Sequence, residues 1–420
     1  MGGAVCSRGF MLLTQIVVAR VVGKAGFGEW SLAINTAGAF GVLASFGLGL
    51  TASKHIAEFR NTDPNRAGGV LSLVLLAGMT TVLAMAATCF VASEWLAVSF
   101  YRVPEAVVLL RLGSVLVFGL VSIVLLESIL AGFEDFRAIA GTNIVQGIVL
   151  FIAGCLLAPQ FGLTGAISAV AISQIAALSL AFRAMLANCR RHRIRLSPQS
   201  GWHERRVLLT YALPSVIADA ISAVAVTASQ AIVVRVPSGL AGLGAYQAAV
   251  SWRDIVLFVP GSLGRITVPL LARVRMEEGP SRFASAFRAN LSLNVGAAVL
   301  VAIPVMVASP WIVQLYGPGF REDWDLIVIL LVAAMIQAAR DVMLRLTASA
   351  GRIWYNTMAA TVWSASVLIG VALTVPRWGV RGFAWTWVVA MLISALVYSV
   401  AARSILLPGI DRRIQASVGS

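Results

Sequence analysis

The 420-residue chain is 59% hydrophobic and only 12% charged, with a net charge of +14 and a mean hydropathy of +0.89. So few polar side chains cannot cover a water-soluble protein of this length, which excludes soluble enzymes and nucleic-acid-binding proteins as classes. The apolar residues run in blocks of about 20, the length that crosses a ~30 Å hydrocarbon core at 1.5 Å per residue, so an all-α polytopic membrane protein is expected.

Taken in chain order, apolar runs between polar breaks predict twelve spans, at 3–22, 28–50, 68–93, 106–132, 139–158, 163–187, 207–235, 243–272, 285–308, 325–349, 355–376 and 379–402. The connections are short and leave no room for an extramembrane catalytic domain. Lysine occurs only at Lys24 and Lys54, so the positive charge is almost all arginine. The basic loop residues gather on the side of the amino terminus, at Lys54, Arg60, Arg66 and Arg137 and in the run from Arg190 to Arg206. The positive-inside bias then predicts both termini in the cytoplasm. Cys6, Cys89, Cys155 and Cys189 are scattered, with neither metal-ligand spacing nor a disulfide framework. No resident cofactor or metal is expected.

The basic segment "RRHRIRLSPQSGWHERR" divides the chain near its middle. The expected organisation is a six-helix bundle over 1–190, a linker over 191–206 and a second six-helix bundle over 207–420. The halves repeat one pattern. "FGEWSL" from Phe27 matches "LGAYQA" from Leu243, and "ASEW" from Ala92 matches "ASPW" from Ala308, both at an offset of 216. "LAG" at Leu130 matches "SAG" at Ser349 at 219, and "FGLTG" at Phe161 matches "WGVRG" at Trp378 at 217. Six spans return the chain to its starting side, so the copies are parallel and their pseudo-symmetry axis runs along the membrane normal. Two such bundles around a central cavity suit a transporter working by alternating access.

The stretch "QIVVARVVGKAGFGEWSLA" resembles the start of the Wzx-type polysaccharide and lipid-linked-oligosaccharide flippases, with Arg20, Gly23, Phe27, Gly28 and Trp30 in the matching places. The aromatic-Gly-x-x-Gly openings at Phe161, Gly162 and Gly165 and at Trp378, Gly379 and Gly382 resemble that family too, as does "GLGAYQAA". The likeness covers essentially the whole chain. It implies the multidrug/oligosaccharidyl-lipid/polysaccharide exporter superfamily and a cargo of polyprenyl-diphosphate-linked oligosaccharide moved across a bacterial inner membrane. The polyprenyl tail would stay among the membrane lipids. Polysaccharide polymerase and glycosyltransferases would be partners. A cation-coupled drug exporter of the same superfamily is the nearest alternative; a polysaccharide polymerase or ligase is the more distant one.

Charges within the spans supply the candidate site. A mid-bilayer arginine costs roughly 2.5–3.5 kcal/mol on insertion scales, so each should face protein or a wet cavity. Arg253 and Asp254 lie about 15 Å into the eighth span, and Arg340 and Asp341 about 22 Å into the tenth. Arg253, Arg340, Arg265 and Arg8 are the candidate contacts for an anionic headgroup, which arginine meets with planar, charge-assisted hydrogen bonds; the alternatives are interhelical ion pairs for Arg253 and Arg340 and snorkelling to the interface for Arg265. Asp219, Asp254 and Asp341 are the candidates for proton or sodium coupling. Spacing lets Asp341 pair with Arg345 four residues on, which would leave Arg340 without an obvious local partner; the alternative is that Arg345 snorkels to the cytoplasmic interface. Spacing also predicts that Arg253 and Asp254, diverging by 100° around the helix, find partners elsewhere. Asn35, Asn143, Gln174, Asn290 and Asn294 suit either a sugar-lined cavity or bonding between helices. Pro214, Pro260, Pro269 and Pro304 are the expected kinks.

Overall fold

The computed structural model describes residues 2–45, 47–196, 205–277, 280–349 and 353–406; the side chains of 2–5, 50, 205–215, 264–277, 280–282, 348–349, 353, 404 and 406 fall outside that description. Most of the basic linker is therefore outside it, as is the side chain of Arg265. Among the described residues the chain is helical and holds no strand. The helices are α1 (Gly2–Ser45), α2 (Leu48–Phe59), α3 (Pro64–Trp95), α4 (Val107–Gly132), α5 (Phe136–Arg191), α6 (Arg205–Val234), α7 (Gly239–Glu277), α8 (Pro280–Tyr316), α9 (Trp324–Ser349) and α10 (Ile353–Leu406).

Eight candidate membrane spans emerge by length and apolarity among the described residues. Three of these, in α1, α5 and α10, each contain two crossings joined at a bend. With α7 this makes the twelve crossings expected. The bends fall at Gly23 (φ 73°), Gly162 (φ 57°, ψ −131°) and Gly379 (φ 55°, ψ −138°). Only glycine takes such backbone angles at little cost, so these residues let a crossing end and the next begin without a loop. Gly162 and Gly379 are 217 apart and share one conformation, and each lies three residues after a proline, Pro159 and Pro376. The repeat seen in sequence is thus a repeat of backbone geometry.

One expectation is corrected. The second crossing does not end at residue 50; it breaks at Gly47 (φ 65°) and continues as α2 to Phe59. Pro304 lies inside α8, where the backbone keeps helical angles, and the described breaks within helices occur at glycine. Proline removes one hydrogen bond but keeps φ near the helical value, whereas glycine can leave that region altogether.

The chain packs as two compact units, Met1–Gly244 and Ala245–Ser420. In the first, α1 packs against α5, α4 and α6, while α4 also meets α2 and α3. Its core at the end nearest the amino terminus gathers Leu48, Ile56, Leu71, Ile129, Met185 and Ile194. In the second unit, α9 lies between α8 and α10.

Candidate substrate and ion sites

Arg253 sits on α7, 15% exposed at its side chain, and Asp254 is 46% exposed. The two pair with each other. Arg253 Nε and Nη2 both donate to Asp254 Oδ1, at 3.1 and 2.9 Å. Arg340 on α9 does the same, with Nε and Nη2 donating to Asp341 Oδ1 at 3.0 and 2.6 Å. Both expectations from helical spacing are therefore overturned. Adjacent Cβ atoms do diverge by 100°, but the arginine stem is long enough to swing its guanidinium back around the helix. Asp341 is taken by Arg340, and Arg345 Nη1 is buried without a hydrogen-bond partner among the described residues.

The two arginines also share a neighbour. Arg253 Cζ lies 5.4 Å from the ring centroid of Trp387, a cation–π distance. Arg340 Nη1 lies 3.7 Å from Met391 Sδ. Trp387 and Met391 are four residues apart on α10, hence on one face and about 5–6 Å apart. Both guanidiniums therefore lean on one strip of the last helix. Around Trp387 are Trp363 at 5.3 Å, Tyr246 at 6.3 Å and Phe383 at 6.4 Å between ring centroids. Sequence reasoning missed this aromatic wall. Its residues come from three separate crossings and look individually like core or interface residues.

The donors separate the two arginines. Arg340 directs Nε and Nη2 to Asp341 and Nη1 to the methionine sulfur. Arg253 keeps Nη1 without a protein partner among the described residues. It is the better placed of the two to take a further acceptor.

In the first unit, Asp219 on α6 lines a cavity of about 590 Å³ with Ile34, Asn35, Gly38, Leu120, Ser222 and Thr227 among its walls. Ser222 and Thr227 turn their hydroxyls onto their own helix, bonding the carbonyls of Ala218 and Ala223 at 2.8 Å each. The Asp219 carboxylate has no ion pair or hydrogen bond among the described residues, and it is the one formal charge they bring to this wall. Arg8 is exposed on α1. The neighbouring Ser7, Phe10 and Thr14 form the face that meets Gly147, Phe151 and Gly154 of α5, and Arg8 lies off that face. Several polar residues prove to be internal bonding. Asn143 donates to Glu127 Oε1 at 2.6 Å, and Asn294 donates to Asn290 Oδ1 at 2.6 Å.

The polysaccharide biosynthesis protein family matches residues 1–275. The chain belongs to that family. Among its curated relatives is the EPS I polysaccharide export inner membrane protein EpsE of Ralstonia solanacearum, 24% identical over 376 residues, covering 87% of this chain and 83% of the relative. Among solved structures, an inward-facing multidrug resistance MATE family transporter of the MOP superfamily aligns with a TM-score of 0.74 at 16% identity, over 94% of each chain. The lipid II flippase MurJ in an inward closed conformation aligns at 0.73 and 15% identity, over 96% of this chain and 86% of that one. At such identities the structural likeness establishes the fold: twelve crossings in two six-helix repeats. This member of the polysaccharide biosynthesis family is thus a multi-pass membrane protein built like known exporters and flippases.

Proposed function

We propose that the protein is a flippase for a polyprenyl-diphosphate-linked oligosaccharide, with Arg253 as the principal contact of the diphosphate. The available Nη1 of Arg253, beside an aromatic wall, carries this reading. Family membership and the EpsE relatives support the cargo class, and the polytopic fold supports transport rather than covalent chemistry. The organisation follows the repeat: a bundle over 1–190, a basic linker over 191–206 and a bundle over 207–420, with both termini in the cytoplasm. Polysaccharide polymerase and glycosyltransferases would act before and after it.

Arg340 supports the same anion from the next turn of the α10 strip. Arg8 and Arg265 would meet the headgroup on its way in. Asp254 and Asp341 compete with an anionic headgroup for the guanidiniums they now hold, so protonation or displacement of either carboxylate frees an arginine. Asp219, unpaired among the described residues of its cavity, is the third candidate for coupling to protons or sodium.

Flipping of a fluorescent undecaprenyl-diphosphate oligosaccharide in proteoliposomes tests the reading. Arg253→Ala is expected to lower the rate about ten-fold or more, the loss of one charge-assisted contact. An unchanged rate at normal protein levels removes Arg253 from the site. For orientation, a carboxy-terminal fluorescent fusion should fluoresce and a phosphatase fusion stay silent; the reverse pattern overturns the assigned topology.

A further inference from the structure

Gly28 on α1 and Gly244 on α7 occupy equivalent places in the two sequence copies, 216 residues apart. They also meet. A methyl group on Gly28 would overlap the carbonyl oxygen of Leu240, and one on Gly244 would overlap the carbonyl oxygen of Lys24. Lys24 and Leu240 are themselves 216 apart. Residue 28 thus sits on 240 as residue 244 sits on 24, a reciprocal contact of the kind a two-fold axis generates. The helices touch backbone to backbone, with the buried side chains of Phe27 and Leu243 beside the crossing.

A second contact lies at the same end of the helices. Arg235, just past α6, donates from Nε and Nη2 to the carbonyl oxygen of Phe100, at 3.0 and 2.5 Å. Phe100 belongs to the π-helical turn Leu96–Tyr101 that ends the third crossing. That turn is fixed to α1 by a 2.8 Å hydrogen bond between the buried hydroxyls of Tyr101 and Thr36. The wide π turn leaves a carbonyl without its α-helical partner, and the guanidinium fork takes it.

We infer that the Gly28–Gly244 crossing is the closure of the membrane face opposite the amino terminus, and that Arg235 on the Phe100 carbonyl is its lock. This rests on the transport reading, since only a protein that opens both faces needs such a contact to break. Repeats related by an axis along the membrane normal, when they rock against each other, must part at the point where that axis meets the closed face. Two glycines suit a contact that must form and break repeatedly. They close tightly without interlocked side chains and release without repacking. The asymmetric Arg235 bond then sets how readily the crossing opens.

The test reads accessibility, independently of any cargo. In full-length protein with Cys6, Cys89, Cys155 and Cys189 replaced by alanine, Ser222→Cys places one thiol in the cavity wall. A membrane-impermeant maleimide is applied to spheroplasts and to inverted vesicles. Arg235→Ala is expected to raise labelling from the Gly28–Gly244 face roughly five-fold or more, the low end of ordinary conformational coupling. Arg235→Lys, which keeps the charge and loses the fork, should fall between. Gly28→Ala should raise labelling in the same direction by wedging the crossing apart. Arg235 is exposed at the end of its helix, so its variants test the lock even if Gly28→Ala fails to fold. Labelling from that face that is the same in Arg235→Ala as in the parent overturns the inference. Labelling that responds, together with no flipping of a fluorescent undecaprenyl-diphosphate oligosaccharide, leaves the lock standing and removes the cargo reading.

Discussion

Arg253 and Arg340 make the same pair with the next residue, yet they should respond differently to mutation. Arg340 and Asp341 are 18% and 28% exposed, and the arginine directs its donors into the protein. Removing Arg340 strands a half-buried carboxylate, which costs up to about 3 kcal/mol before solvent screening reduces it. Arg340→Ala should therefore lower the thermal midpoint in detergent more than Arg253→Ala, while Arg253→Ala should slow flipping more. A reversed ranking would assign the structural role to Arg253. Asp254→Asn should strengthen binding of inorganic diphosphate at the freed guanidinium, measured by calorimetry. Weaker binding would mean that Asp254 orients Arg253 instead of competing for it. None of this was legible from spacing. Periodicity fixes where a Cβ points but not how far a four-atom stem can bend back.

At the scale of elements, the bends at Gly162 and Gly379 act alike in the two copies. Alanine at either residue must adopt a positive φ, at about 1 kcal/mol or more. The glycines that follow are tighter still, since a methyl on Gly165 or Gly382 would overlap the carbonyl of Leu157 or Thr374 across the bend. Gly162→Ala and Gly379→Ala should thus lower the thermal midpoint by similar amounts, and Gly165→Ala by more than Gly162→Ala. Where α5 ends, His192 stacks on Phe133 with ring centroids 5.6 Å apart. Burial, then Arg60 and Arg191, hold its pKa below the ordinary histidine value. The folded state therefore binds fewer protons at this residue than the unfolded chain. Its stabilising contribution is full above the ordinary pKa of about 6.5 and is lost as pH falls through the depressed value. His192→Phe should flatten the acid side of the stability profile. The paired aromatic-Gly-x-x-Gly motifs announced the bends in the sequence; nothing local announced the stacking, which joins residues 59 apart.

For the whole molecule, the sequence repeat and the packing divide the chain at different places. The repeat turns over at the basic linker, whereas the first compact unit extends to Gly244 and takes in α6. The reciprocal crossing of Gly28 and Gly244 and the bond from Arg235 to Phe100 account for that shift, because they tie the opening of the second copy to the first. Composition and block length alone determined a polytopic helical bundle of twelve crossings, because a hydrocarbon core admits few other ways to satisfy a backbone. The offset of 216–219 determined a two-fold repeat, since equal patterns at equal spacing fold alike. Tertiary structure decided the rest. It set Trp387 and Met391 under the two arginines, put Asp219 in a cavity wall with no partner among the described residues, and placed two equivalent glycines against each other. Each of these depends on which crossings become neighbours, a choice made by packing between helices that the pattern within any one helix does not contain.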